Sequence, residues 1–184
     1  VVEVLAAIPS VVLGFFAIVV LNPLIASIFN LNNGLNALNG SLLLALMALP
    51  TIISIAEDSL TAVPSEYKEA SLALGATRLQ TLVHIILPAA SSGVTAAIML
   101  GIGRAIGETM TVIMATGNAL AFPSGLFSSL RTMTATIAIE LGEVPFNTTH
   151  YYALFAIGFV LFCMTFIVSL LADYFLHRAS EVNK

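Results

Sequence analysis

Residues 153 to 172, ALFAIGFVLFCMTFIVSLLA, run for twenty positions without a charge. A membrane-spanning helix needs about 20 mostly apolar residues, because a rise of about 1.5 Å per residue then covers a hydrocarbon layer about 30 Å thick. The rest of the chain agrees with that reading. Of its 184 residues, 59% are hydrophobic and 9% charged, whereas an ordinary soluble domain carries about 25% charged residues. The sequence therefore reads as an all-α, polytopic transmembrane helical bundle. A net charge of -4, thinly spread, argues against a nucleic-acid surface or a polybasic membrane-surface helix. Cys163 lies alone in an apolar run, which excludes an internal disulfide and fits a small hydrophobe.

Four segments fit spanning helices, roughly 4–29, 36–57, 86–117 and 151–176. The first holds Pro9, Asn22 and Pro23 and the second Pro50, so kinks or ragged ends are expected there. Lys and Arg in short loops mark the cytoplasmic side. The loop 58–87 holds Lys68 and Arg78, and the tail, 179–184 with Arg178 just before it, holds Lys184. Two spans separate these regions, so both are expected on the cytoplasmic side. The stretch 118–150 then faces out, with Arg131 its only basic residue beside Glu140 and Glu143. Its turn-forming PSG and LGEVPFN flank SSLRTMTATIAIEL, which reads as a short helix. The first residue is Val, and the opening VVEVLAAIPSVVLGFF has neither a basic start nor a cleavage site. The chain reads as an N-terminally truncated part of something longer.

The loop EDSLTAVPSEYKEASLALGATRLQTLVHIILP is too polar to span and too patterned for a linker. Pro64 or Ser65 can start a helix, Glu66 and Glu69 suit its first turns, and Gly75 divides it, which predicts two short helices at a glycine turn. Periodicity alone fits an amphipathic connector on the membrane and a docking element for a cytoplasmic partner equally.

GIGRAIGETM, residues 101–110, sets Arg104 and Glu108 inside the third apolar segment. Four apart on a continuous helix, they share one face about one turn from each other. Each charge costs roughly 2.5 to 3.5 kcal/mol at mid-membrane, so both need a partner or water. They are either buried structural glue or a lining of a pathway. Gly101, Gly103 and Gly107 allow another helix or a substrate to approach the backbone.

Glu69, Ala70 and Ser71, then Gly75, then Ile85, Leu87 and Pro88 resemble the EAA loop of ABC-importer permeases, E-A-A-x3-G-x9-I-x-L-P, with Ser71 for the second alanine. The segment IMLGIGRAIGETMTVIMATGN, with LAAIPSVVLG and ALFAIGFVLFCMTFIV, resembles the membrane subunits of the high-affinity (Pst type) phosphate importers. GRAIGETM is most similar to their C-type subunit, and Leu13 stands where an aromatic residue is usual.

That resemblance covers nearly the whole chain and implies the type I permease fold. It also implies a place in the bacterial inner membrane, beside a second homologous permease, two ATP-binding subunits and a soluble phosphate-binding protein. Glu69, Ala70, Ser71 and Gly75 take the role of ATPase coupling, and Arg104, Glu108 and Thr109 that of the substrate path. Arginine offers an oxyanion a planar fork of donors. Glu108 can accept a hydrogen bond from a protonated phosphate oxygen, which sulfate lacks at neutral pH, and Thr109 can add a hydroxyl.

No G-x-x-x-x-G-K-[ST] phosphate loop occurs, so ATP binding and hydrolysis belong to a separate subunit. No metal-ligand spacing or catalytic triad is present either, and no cofactor or enzymatic activity is expected. The alternatives are a permease for another oxyanion or small solute, and a membrane scaffold that docks an ATPase without transporting.

Overall fold

The computed structural model describes residues 7–182, with side chains as far as Leu176. The basic groups of Arg178 and Lys184, which supported the sidedness of the tail, lie outside the described side chains. Three helices are long and apolar enough to cross a membrane, and a fourth candidate is a pair of helices bent by 69°. The first, α1, runs as Ser10–Phe16, a π-helical stretch Ala17–Leu21, and Asn22–Phe29. Helix α2 spans Ala37–Thr61, α3 Ser65–Ala73, and α4 Arg78–Ala89 with a π-helical stretch at Leu82–Ile86. Then come α5 (Ser91–Gly107), α6 (Met110–Ala115), α7 (Met133–Glu140) and α8 (Thr149–Val182). Residues 179–182, assigned by sequence to a tail, continue α8. Among the described residues the only β pairing is an isolated bridge between Gly117 and Leu130.

Both π-helical stretches end two residues before a proline, Pro23 and Pro88. A proline ring collides with the carbonyl four residues back, and a widened turn relieves that collision. The expected disturbance at Pro23 is therefore a π turn. Pro50 is different: α2 continues through it without interruption, and Pro50 is buried.

Helix α5 is central, packed against α2 on one side and α8 on the other. Its buried residues Gly93, Ala96, Ala97 and Gly101 follow the three- and four-residue spacing of one helical face. A Cβ at Gly93 would overlap Ser59, and one at Gly101 would overlap Ile52. Missing side chains thus set the separation of α5 and α2, as expected where lipid supplies little hydrophobic drive for helix association. The face of α8 away from α5 and α7 exposes Phe155, Phe159, Phe162 and Phe166.

The segment between α2 and α5 folds as two short helices about Gly75, whose φ of +86° puts it in the left-handed region. Thr77 caps α4 through a reciprocal box with Gln80. The hydroxyls of Ser71 and Thr81 meet at 3.0 Å across the turn, and Thr81 is buried. Ser71 therefore does more than replace a small alanine, because it ties the two helices together.

Gly101→Leu should drive a side chain into Ile52 and lower stability by about 1–3 kcal/mol. Gly103→Ala, whose Cβ would meet Val168 at an ordinary 3.6 Å, should be neutral or slightly stabilising. Thermal unfolding of the two purified variants in detergent checks the contrast.

Candidate functional site

Arg104 lies 13 residues into α5, about 20 Å along its axis. Its Nη1 donates to the hydroxyl of Thr51 on α2 at 3.1 Å. Thr51 comes within reach because the Gly101–Ile52 contact brings the two helices close one turn earlier. The Arg104 side chain is otherwise exposed by its own chain.

The helix does not continue to Glu108. Helix α5 ends at Gly107, Glu108 adopts an extended backbone (φ -69°, ψ 131°), and α6 begins at Met110. The sequence-based picture of one unbroken span over 86–117 is corrected here, as is the placing of both charges on one helical face. It is bent near Ala90 and interrupted at Glu108 and Thr109. Gly103 and Gly107 weaken the end of α5, and Glu108 stabilises the interruption by serving α6. Its Oε1 accepts from the Thr111 amide at 3.3 Å and the Thr111 hydroxyl at 3.2 Å. The same buried hydroxyl also lies 3.0 Å from the Ser10 carbonyl, which joins α1 to the break. From α7, the Thr134 hydroxyl donates to the main-chain oxygen of Glu108 at 2.8 Å.

Arg104 and Glu108 form no ion pair. Among the described residues Glu140 forms an ion pair with Arg131 at 2.6 Å, and its other oxygen is hydrogen-bonded to His150 Nε2 at 2.7 Å. The Glu108 Oε2 has no hydrogen-bond partner among the described residues. Glu108 lines a cleft of about 510 Å³ together with Arg131, Thr132 and Thr134, and the walls are apolar, with Ile102 on one side and Leu161 on the other. Arg104 and Thr109 do not line it. The Thr109 hydroxyl turns back to the Gly107 carbonyl at 3.3 Å.

Sequence reading named Thr109 as the hydroxyl near Glu108, whereas the structure brings Thr111 and Thr132–Thr134 to it. Thr111 was reachable, since a carboxylate three residues before a threonine is capping spacing. Thr51 and Arg131 come from distant segments, and no local pattern announces them.

At the other end of α5, Glu69 and Ala70 are exposed on α3, and Leu74 and Leu79, at 90% and 70% exposure, flank the Gly75 turn. Lys68, Leu72, Arg78 and Leu82 share a shallow groove beside it. An apolar knob set among charges on a two-helix corner is a surface shaped for a protein partner.

Long apolar helices, a broken helix bearing a carboxylate, and an exposed two-helix corner together define an integral membrane protein of the transporter class. Broken helices are tolerated at membrane depth where they line a cavity or are buried in protein. Residues 1–181 match the model of the binding-protein-dependent transport system inner membrane component, and the chain belongs to that family.

The chain is 38% identical to the probable ABC transporter permease protein YqgH of Bacillus subtilis, over 97% of this chain and 58% of that one. It is 36% identical to the phosphate transport system permease protein PstC of Mesorhizobium japonicum, over 96% and 60%. To PstC of Xylella fastidiosa it is 34% identical over 98% and 61%. It thus spans about three fifths of the length of these relatives. A solved structure of the MetNI methionine ABC transporter in an inward-facing conformation shares the fold. It has a TM-score of 0.70 and 19% identity, and covers 97% of this chain and 72% of that one. The fold is that of a type I ABC importer permease.

Thr111→Val should remove the buried hydroxyl that bridges the Ser10 carbonyl and Glu108 Oε1, leaving Oε1 only the residue-111 amide, and cost about 1–3 kcal/mol. Thr109→Val should cost less than about 0.5 kcal/mol. Thermal unfolding of the two variants in detergent separates these outcomes.

Proposed function

We propose that this chain is the membrane-spanning subunit of an ATP-driven importer that carries inorganic phosphate across the bacterial inner membrane. The observation that carries the proposal is Arg104. It is a guanidinium in the last turn of an apolar helix, about 20 Å from that helix's start, held by one hydroxyl and left exposed by its own chain. Facing lipid there would cost roughly 2.5 to 3.5 kcal/mol, so Arg104 faces a second, homologous permease subunit and the aqueous path between the two. Similarity to phosphate permeases named PstC supports phosphate as the cargo.

The chemistry of the path follows from what each group has to spare. Arg104 uses Nη1 on Thr51 and keeps Nε and Nη2 for an oxyanion, which a guanidinium meets with parallel N–H donors. Glu108 keeps Oε2 free as an acceptor. Hydrogen phosphate carries both acceptor oxygens and an O–H donor, so it satisfies both residues, while fully ionised sulfate leaves Glu108 facing a bare lone pair. Thr109 closes the turn just after Glu108 through its hydroxyl on the Gly107 carbonyl.

Energy comes from two ATP-binding subunits that meet the loop 58–87 on the cytoplasmic side. Glu69 and Ala70 are exposed to them on α3, while Ser71 bonds Thr81 and so holds the second helix against the first across the Gly75 turn. Because α4 leads into α5 through a 69° bend at a short break, motion of the corner is carried to the helix that bears Arg104. A soluble phosphate-binding protein delivers cargo at the opposite face, formed by 118–150. The chain contributes the path, and hydrolysis occurs on its partners.

The test is phosphate uptake by the reconstituted complex with Arg104→Gln, alongside its ATPase rate with the loaded binding protein. Loss of charge-assisted hydrogen bonds worth about 1.5–3 kcal/mol predicts an uptake at least about tenfold lower, with assembly and ATPase retained. Unchanged uptake would remove Arg104 from the path.

A further inference from the structure

The cleft that holds Glu108 contains a second guanidinium, and it is not Arg104. Arg131 follows directly on Leu130, whose amide bonds the Thr116 carbonyl at 3.1 Å, and this fixes the chain just before α7. Its side chain is then held on two sides: Nε donates to the Asn118 carbonyl at 3.2 Å, and Nη1 donates to Glu140 Oε1 at 2.6 Å. Glu140 is held in turn by His150 through its other oxygen. Nη2 has no hydrogen-bond partner in the chain, and the side chain is only 16% exposed. A guanidinium held through Nε on one side and Nη1 on another is rigid, and Nη2 is left pre-aimed.

Arg131 and Glu108 line one cleft, and among the described residues neither Arg131 Nη2 nor Glu108 Oε2 has a hydrogen-bond partner. A ligand that satisfies both needs acceptor oxygens and an acidic O–H on the same small group, which is the chemistry of a protonated tetrahedral oxyanion. The mostly apolar walls strengthen both contacts by excluding water.

We infer that Arg131 is a second oxyanion-binding residue of the transport path, reached on the Glu108 side of the broken helix, with Arg104 on the other. This rests on the oxyanion reading above and adds a residue to it. The cargo exchanges one guanidinium for the other while Glu108 holds its proton-bearing oxygen. The charges suit passage and not storage: Glu140 offsets Arg131, so an anion is guided without being trapped.

The competing role for Arg131 is purely structural, as one half of the clasp that holds α7 through Glu140. Two variants in the whole reconstituted complex, supplied with loaded binding protein and ATP, separate the roles. Arg131→Gln removes the free donor and the clasp charge, whereas Glu140→Gln neutralises the clasp, keeps an amide oxygen for Arg131, and lies outside the cleft lining. Phosphate import per ATP hydrolysed should fall at least about tenfold in Arg131→Gln and stay within about twofold of the unaltered complex in Glu140→Gln. Arg131→Lys should recover part of the loss, because a point charge replaces the fork. Where Arg131→Gln fails to assemble, the lysine variant carries the same comparison.

Equal losses in Arg131→Gln and Glu140→Gln would make the residue a clasp only and overturn the inference. So would unchanged import in Arg131→Gln while Arg104→Gln is defective, an outcome that leaves the oxyanion reading standing. An unaltered complex that imports no phosphate would bring down the oxyanion reading and this inference with it.

Discussion

The close contact of α5 with α2 is the constraint on which the rest depends. Where Gly93 and Gly101 meet Ser59 and Ile52, no side chain fits between the helices. That approach is what puts Thr51 within hydrogen-bond reach of Arg104. It also leaves the opposite side of α5 to α8, so the helix carrying the charge is gripped on two faces. A rigid helix of this kind moves as a body when one end is moved, and on the proposed reading the bend between α4 and α5 is where such a movement enters.

The second consequence lies at the far end of α5. The helix stops at Gly107, and three segments meet at the break: the Glu108 side chain accepts from Thr111 of α6, the Thr111 hydroxyl reaches the Ser10 carbonyl of α1, and Thr134 of α7 donates to the Glu108 main-chain oxygen. Glu108 is thus anchored by its main-chain oxygen and by Oε1 and offers Oε2 to the cleft. A carboxylate fixed in this way pairs with no cation of its own chain, a costly arrangement in an apolar setting unless something passes that needs an acceptor. The structure and the transport chemistry meet at this atom.

Much of this was legible in the sequence. The uncharged run of α8 is long enough to leave few alternatives, and the short helices about Gly75 were announced by Pro64, by the acidic first turn and by glycine. The charges of Arg104 and Glu108 stand out because their surroundings are apolar. The break at Glu108 and Thr109 was not legible, since hydrophobic periodicity continues from Ile102 through Val112 and hides the one extended residue, Glu108. Nor could local spacing show that Arg131 returns to the Glu108 cleft, because that contact is made through the Glu140 clasp and the packing of α7 on α8. Pro50 shows the reverse error, in which a strong local breaker is overridden by tertiary packing around it.

The central claim is that the charge of Glu108 serves the cargo and not the fold. The most direct measurement is thermal stability and phosphate uptake of the same reconstituted complex carrying Glu108→Gln. Glutamine keeps the oxygen that accepts from Thr111, so the account predicts stability within about 0.5 kcal/mol of the unaltered complex and uptake at least about tenfold lower. Uptake that is unchanged, or that falls only in step with stability, would contradict it.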